Sequence, residues 1–471
     1  MIKFRRHKNR LSQIDPACPE PACGEPVESV DRACPEPACG EPVESVDRAQ
    51  RLAGDRTRNI DPPPVRDGSP RILILSASCG AGHVRAAEAV QLALAQTCPN
   101  AVLANVDVMD FTNSAFRRFY SRTYFDLVDI APHLIGFLYD KTDRPSTWPA
   151  LDRMRNSVQK MNLHRLVKLI VGGRWDLAIS THFLPVEIIA SLRRAGKVAL
   201  PQATVTTDFD THHMWFNDPC ELFFTASEEA RANLAACRVP PANIRVTGIP
   251  IHPVFAEPKS VTECRLRHGL SLDRPVVLQL AGGLGMAAVK QAHGSILDMR
   301  LPLHVVTVAG RNARAREQVE AIPCPPMHRR TVLGFTREID ELMAAADVIV
   351  SKPGGLTSSE ALARGTPMVI VDPIPGQESR NSDYLLENGS AIKANNLASL
   401  GFKLTQFLTE PGRLAAARAA AARLGKPRAA FDVAAHLLRL LPSRTPVQPA
   451  KRTARRATRL DRVKRRLLRH V

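Results

Sequence analysis

The stretch SKPGGLTSSEALARG, residues 351 to 365, followed by PMVIVDPIPGQESRNSDYL, residues 367 to 385, decides how this chain is read. An apolar run ending at Val350 opens through Pro353, Gly354 and Gly355 into a helical pattern carrying Glu360. The cycle then repeats, with an apolar run, a Pro and Gly turn and a polar helix. Two successive strand-to-helix turns with polar residues at their mouths make a ligand site. In open parallel sheets ligands collect at the carboxyl ends of strands, where helix N-termini present bare N–H groups.

The same alternation continues on both sides. Apolar runs at 72–77, 101–108, 175–180, 202–207, 222–226 and 244–249 are each followed by a loop or a 3.6-periodic segment. A Pro-punctuated link at 250–274 leads to a second series at 275–281, 303–309, 331–335, 347–351 and 367–372. This spacing predicts two doubly wound, Rossmann-like α/β domains facing each other across a cleft. Ala-rich helices are expected at 412–424 and 430–441, closing the structured region.

The 471 residues are ample for two cores. No run of about 18 apolar residues is present, so no membrane-spanning helix is expected, and the first residues lack the apolar core of a secretory signal. A cytoplasmic protein with reduced thiols is the expectation. The formal charge of +18 points to anionic partners. Half of it lies in residues 451–471, which hold ten Lys or Arg and one acid, with Leu460, Val463, Leu467 and Leu468 at near-helical spacing. That tail reads as a solvated segment, a membrane-surface element or, least favoured, a nucleic-acid contact. Residues 17–32 recur unchanged at 33–48, a Pro- and Glu-rich tandem copy with no capacity to bury a core. Between 111 and 139 lie eight of the 23 aromatics, interleaved with Arg117, Arg118 and Arg122. The mix suits either a buried helix pair or a surface entering a lipid headgroup zone.

Several residues are placed for chemistry. The turn Gly80 to His83 leads from a strand into a helix, so that Gly80 and Gly82 amides and the His83 imidazole face whatever lies above the sheet. Asp208, Phe209, His212 and Trp215 follow another apolar run. His212 and His213 are neighbours that point apart in most backbones, which argues against a shared metal. The Gly-rich turn with Gly282, Gly283 and Gly285 lets backbone amides approach a diphosphate. Arg311 follows the run at 303–309, and Phe335 with Thr336 follows 331–335. Gln377, Glu378 and Asn381 line the last turn, where Glu378 is equally suited to capping the helix.

Three blocks, ILILSASCGAGHVRAAEAV (72–90), TDFDTHHMW (207–215) with VTGIPI (246–251), and the stretch from 351 to 385, occur in an order that resembles the monogalactosyldiacylglycerol synthase and processive diacylglycerol glucosyltransferase family. These enzymes are relatives of the transferase that adds GlcNAc to lipid I. The resemblance spans about residues 70 to 440 and implies the GT-B glycosyltransferase fold. It implies an acceptor domain over 70–255, a UDP-sugar domain over 256–425 and a helix over 426–442 packing back on the first domain, whereas the leader over 1–69 and the basic tail over 443–471, read from their composition, have no counterpart in the family.

The implied reaction is inverting transfer of glucose or galactose from a UDP-hexose to diacylglycerol, on the inner face of the cell membrane and at its anionic surface. His83 is implied as the base or its hydrogen-bonding partner, with Asp208 the rival base, and Gly80, Gly82, Phe209, His212 and Trp215 as acceptor-side residues. Donor contacts are implied for Gly354, Gly355, Leu356 and Thr357, with Phe335 bordering uracil, Glu360 on the ribose, and Gln377, Glu378 and Asn381 on the sugar, while the amides of Gly282, Gly283 and Gly285 and the Arg311 side chain are expected to stabilise the diphosphate. No cofactor or metal is expected, since nothing resembles a DxD clamp, and nucleic acid is not the expected partner. Cys79 stands where the family often has an aromatic residue. Two other readings remain open: GlcNAc transfer to a polyprenyl-linked acceptor, and a non-catalytic nucleic-acid or membrane-binding protein.

Overall fold

The computed structural model describes residues 68–78, 80–112, 163–281 and 286–441. The tandem repeat, the segment from 113 to 162, Cys79, Gly282, Gly283, Gly285 and the basic tail lie outside the described residues, as do the expectations resting on them.

Two parallel sheets of six described strands each form the frame. The first contains β1 (Arg71–Ser76), β2 (Val102–Asp107), β3 (Leu177–Ser180), β4 (Gln202–Val205), β5 (Leu222–Thr225) and β6 (Ile244–Val246), in the order β2-β1-β3-β4-β5-β6. The second contains β7 (Val276–Leu280), β8 (His304–Val308), β9 (Arg329–Leu333), β10 (Val348–Ser351), β11 (Met368–Val371) and β12 (Ala391–Ala394), in the order β12-β11-β10-β7-β8-β9. Strands such as RILILS and MVIV are buried at every position, because helices cover both faces of a parallel sheet.

The helices that matter for the site are α1 (Ala81–Thr97), α2 (His164–Gly172), α3 (Phe183–Arg194), α4 (Glu228–Ala236), α5 (Val261–Arg267), α6 (Met286–Leu297), α7 (Ala313–Glu320), α8 (Ile339–Ala345), α9 (Gly355–Ala363) and α10 (Gln377–Glu387). Three more, α11 (Leu400–Thr409), α12 (Arg413–Leu424) and α13 (Ala429–Leu438), end the described chain. The expected link at 250–274 carries α5, capped by Ser260, whose side chain accepts from Glu263 N. β12 was not foreseen from the apolar runs. α13 buries Ala430, Val433, Ala434 and Leu437 in one cluster with Ala87, Val90 and Leu94 of α1, so the chain's last described helix rests on the first domain.

In each sheet the strand order reverses at one point. It falls between β1 and β3 in the first sheet, and between β7 and β10 in the second. The loops leaving those strands splay apart there and leave a crevice above the carboxyl ends, the usual ligand position in open α/β sheets. The β1 loop leads to His83 and the β3 loop to Thr181 and His182; the β10 loop leads to Gly354.

Candidate active site

On the first domain His83 lies in the opening turn of α1. Its Nδ1 is 2.8 Å from the Thr181 carbonyl oxygen and 3.0 Å from Thr207 Oγ1. A carbonyl oxygen only accepts, so Nδ1 carries the proton and Nε2 keeps the lone pair. Thr181 Oγ1 donates back to the His83 carbonyl at 2.8 Å, which locks the turn to the end of β3. Burial holds the imidazole pKa below its usual value, with the Thr181 hydrogen bond opposing, so the ring is a neutral acceptor near pH 7.

A second imidazole, unmarked in the sequence reading, completes this face. His182 caps α3 by accepting from Leu184 N at 3.2 Å, and its ring meets His83 edge-on with centroids 4.8 Å apart. Burial and the neighbouring His83 keep it well below the ordinary histidine pKa. The available signal was THF directly after the apolar run LAIS, the same strand-end position that singled out His83. Trp215, buried, lies 6.2 Å from the His83 ring. His212 is buried and caps the short helix His213–Trp215, accepting from Met214 N at 3.0 Å, while His213 turns away toward Cys237. The two histidines therefore do not converge. Gly80 precedes α1 with φ 174°, an extended backbone, and neither it nor Gly82 is crowded.

Asp208 follows β4 in the same crevice. Burial pushes its pKa up to about 6, with a hydrogen bond from Asn381 opposing and Asp210 adding to the rise. Asn381 Nδ2 donates to Asp208 Oδ1 at 2.9 Å, and Asn381 Oδ1 accepts from Phe209 N at 2.8 Å. Asn381 thus reaches across to the first domain, where the sequence placed it against the donor sugar.

On the second domain, Gly354 caps α9 and Gly355 begins it. A side chain at Gly355 would sit 2.0 Å from the Thr207 carbonyl oxygen, so the two domains meet here at backbone distance and only glycine fits. Leu356 is buried and Thr357 half-buried. Glu360 is almost fully buried, and its Oε1 receives Arg85 Nη2 of α1. Burial together with Asp340 lifts its pKa to about 7, against the pull of Arg85, whose side chain is 43% exposed.

Glu378 Oε2 accepts from Ile374 N at 2.8 Å, which serves the turn before α10. The half-buried Gln377 opens that helix. Lys352, a further residue the sequence reading passed over, ends next to the same turn, paired with Asp372 at 3.2 Å. Asp372 itself has φ 44°, an uncommon left-handed backbone that Asp tolerates better than most residues. Phe335 is 60% exposed, and the Arg311 guanidinium lies 5.0 Å from its ring centroid, so the two form one platform at the edge of the domain.

Taken together, one wall offers a neutral imidazole and a carboxylate that titrates near pH 6. The opposite wall offers a helix N-terminus, a cation and a flat aromatic surface. The first can take a proton from a hydroxyl, and the second can hold an anion. Among the described residues no group of three or more His, Cys, Asp or Glu is arranged to hold a metal ion, and no helix is long and apolar enough to cross a membrane.

Comparison with known proteins finds two family models, one over each part of the chain. Residues 83–251 match the monogalactosyldiacylglycerol (MGDG) synthase family model, and residues 285–424 match that of glycosyl transferases group 1. A processive diacylglycerol beta-glucosyltransferase of Bacillus subtilis (strain 168) is 28% identical over 347 residues, covering 73% of this chain and 88% of the relative. The protein of that name from Staphylococcus saprophyticus is 26% identical over 374 residues, 79% of this chain and 93% of the relative. Among solved structures, a UDP-GlcNAc 2-epimerase from Neisseria meningitidis superposes with a TM-score of 0.50 at 12% identity, covering 78% of this chain and all of that one, which is a likeness of fold. With a match to the MGDG synthase model on its first sheet and to the glycosyl transferases group 1 model on its second, the chain is a glycosyltransferase of GT-B fold, similar to the processive diacylglycerol beta-glucosyltransferases.

Proposed function

We propose that this glycosyltransferase moves a hexose from a UDP-sugar to the free hydroxyl of 1,2-diacylglycerol with inversion at the anomeric carbon. The observation that carries the reading is the fixed tautomer of His83: with its Nδ1 proton committed to Thr181 O, Nε2 is a standing proton acceptor at the switch point of the first sheet. The hydroxyl proton passes to Nε2 as the oxygen attacks C1 from the face opposite the diphosphate. The C1–oxygen bond to UDP breaks with its electron pair on the leaving group. An α-linked donor then gives a β-glycoside, in line with the names of the Bacillus and Staphylococcus relatives.

Asp208, ionised above about pH 6, directly follows Thr207, whose hydroxyl meets the His83 ring, and is the alternative base. On the other wall the amides opening α9 face the diphosphate, and preorganised donors of this kind stabilise a leaving group without a metal. Glu360 has the position to accept a hydrogen bond from the ribose hydroxyls once Arg85 gives way. Arg311 and Phe335 border the base.

The relatives' names favour glucose and the MGDG synthase model favours galactose, so the hexose itself is a matter for a donor panel. Purified protein is incubated with labelled UDP-glucose, UDP-galactose or UDP-GlcNAc and either diacylglycerol or a polyprenyl-linked acceptor. A β-hexosyl diacylglycerol, read by NMR, is the expected product, with chelator present or absent. Transfer of GlcNAc to the polyprenyl acceptor would replace this reading, and a large fall with chelator would remove its metal-free part. A peripheral position on an anionic membrane surface belongs to the same proposal, supported by the charge of residues 451–471. Deleting 443–471 is expected to reduce pelleting with anionic vesicles while turnover of a soluble acceptor survives.

A further inference from the structure

Asn381 lies on α10 of the second domain, with its side chain wholly buried. Phe209 N–H can only donate, so the carboxamide oxygen must face it, at 2.8 Å, and the NH2 group must face the Asp208 carboxylate, at 2.9 Å. Two consecutive residues of the first domain are therefore held by one side chain more than 170 positions away in sequence. The neighbours on α10 reinforce the hold. Arg380 pairs with Asp210 at 2.9 Å, and Tyr384 stacks on Phe209 with centroids 4.7 Å apart and planes 10° from parallel.

We propose that Asn381 is a positioning residue: from the donor domain it fixes the rotamer of the acceptor-side carboxylate Asp208, so that this group is set for the reaction only while the two domains are together. The proposal rests on the reading above, in which ionised Asp208 serves the transfer. It also replaces the sugar contact expected of Asn381, because both polar atoms of a buried carboxamide are already committed. The coupling has a chemical use: the carboxylate is oriented only when the domain that carries the donor is docked beside it.

The groups facing Asp208 define what a pH experiment reads. Asp210, on its own loop, is paired with Arg380. Glu378 of α10 lies near enough to interact, and is itself answered by Lys352. His83 of α1 meets the hydroxyl of Thr207, the residue before Asp208 in the chain. None of these is altered by changing Asn381, so a shift in the acid limb of the rate profile reports on the Asn381 to Asp208 bond.

The test is the pH profile of kcat for the full-length protein and for Asn381→Ala and Asn381→Asp, with UDP and UDP-hexose affinities by calorimetry. Asn381→Ala is expected to lower kcat about 10- to 100-fold. It should also move the acid limb up by about one pH unit, because the ionised carboxylate loses its donor. Asn381→Asp, which sets a second carboxylate against Asp208, is expected to move the limb further in the same direction. Affinities for UDP and UDP-hexose should stay within about twofold, below the roughly tenfold that 1.4 kcal/mol represents.

An unmoved acid limb in both variants overturns the proposal. So does a selective loss of UDP-hexose affinity with UDP affinity intact, which would return Asn381 to the sugar. If Asn381→Ala does not fold, Asn381→Asp, close in shape to the native side chain, supplies the same limb measurement and decides alone. Wild-type protein that turns over no UDP-hexose would sink the functional reading itself, a result distinct from a working wild type whose variants keep their acid limb.

Discussion

The two walls of the cleft are built on the same plan and equipped in opposite ways. Both rise from a six-stranded parallel sheet at the point where strand order reverses. The first wall carries titratable groups whose pKa values burial has moved, His83 and His182 downward and Asp208 upward. The second presents main-chain amides at Gly354 and Gly355, with Glu360 as its buried carboxylate. Under the proposed function this difference is a division of labour, in which one sheet handles a proton and the other handles an anion. A fold supplies the crevice twice, and side chains decide what each crevice does.

That division is breakable in several places. The largest expected effect is on His83→Ala, which removes the proton acceptor and should lower kcat by about 10²- to 10⁴-fold with little change in donor affinity. Retained turnover would pass the role to Asp208. Next comes pH: with Asp208 required as an anion and His83 as a neutral ring, activity is expected to fall below about pH 6. The sign follows from protonation, since acid neutralises the carboxylate and charges the imidazole. An acid limb more than a unit above this would contradict the arrangement.

A smaller effect, about tenfold, is expected for Glu360→Gln on UDP affinity, in the range of one charge-assisted hydrogen bond. The smallest concerns Arg85→Ala. Arg85 occupies the Glu360 carboxylate in this structure, so freeing it should tighten UDP binding a few-fold. Weaker binding would mean that Arg85 contacts the nucleotide directly.

Much of the frame was legible in the sequence, and physical reasons separate what was from what was not. Runs such as LILS and VIVS announce themselves because buried parallel strands are apolar at every position. β12 escaped because AIKA is four residues long, is only half-buried in the middle and carries a lysine. α5 escaped because seven residues bearing Glu263, Arg265 and Arg267 look like a solvated link. His83, Asp208, Gly354 and Glu360 were legible as residues at strand ends. Their partners were not: Arg85 and Glu360 are 275 positions apart, and Asn381 and Asp208 are 173 apart. No local pattern signals a pairing that only the docking of two domains creates. Gly355 shows the same limit, since its need for glycine comes from the Thr207 carbonyl of the other domain and not from its own turn.

The central claim is that a uridine diphosphate binds at the opening of α9, on the wall opposite His83. Calorimetric titration of UDP into the wild type, His83→Ala and Gly354→Asp tests it most directly. Gly354 has an ordinary extended backbone, φ −63° and ψ 138°, and Asp is a favoured helix cap, so that variant should fold while its carboxylate takes up the amides and repels the ligand. Equal binding by the first two proteins and none by the third is the expected result. No heat with the wild type, or binding lost in His83→Ala and kept in Gly354→Asp, would contradict the account.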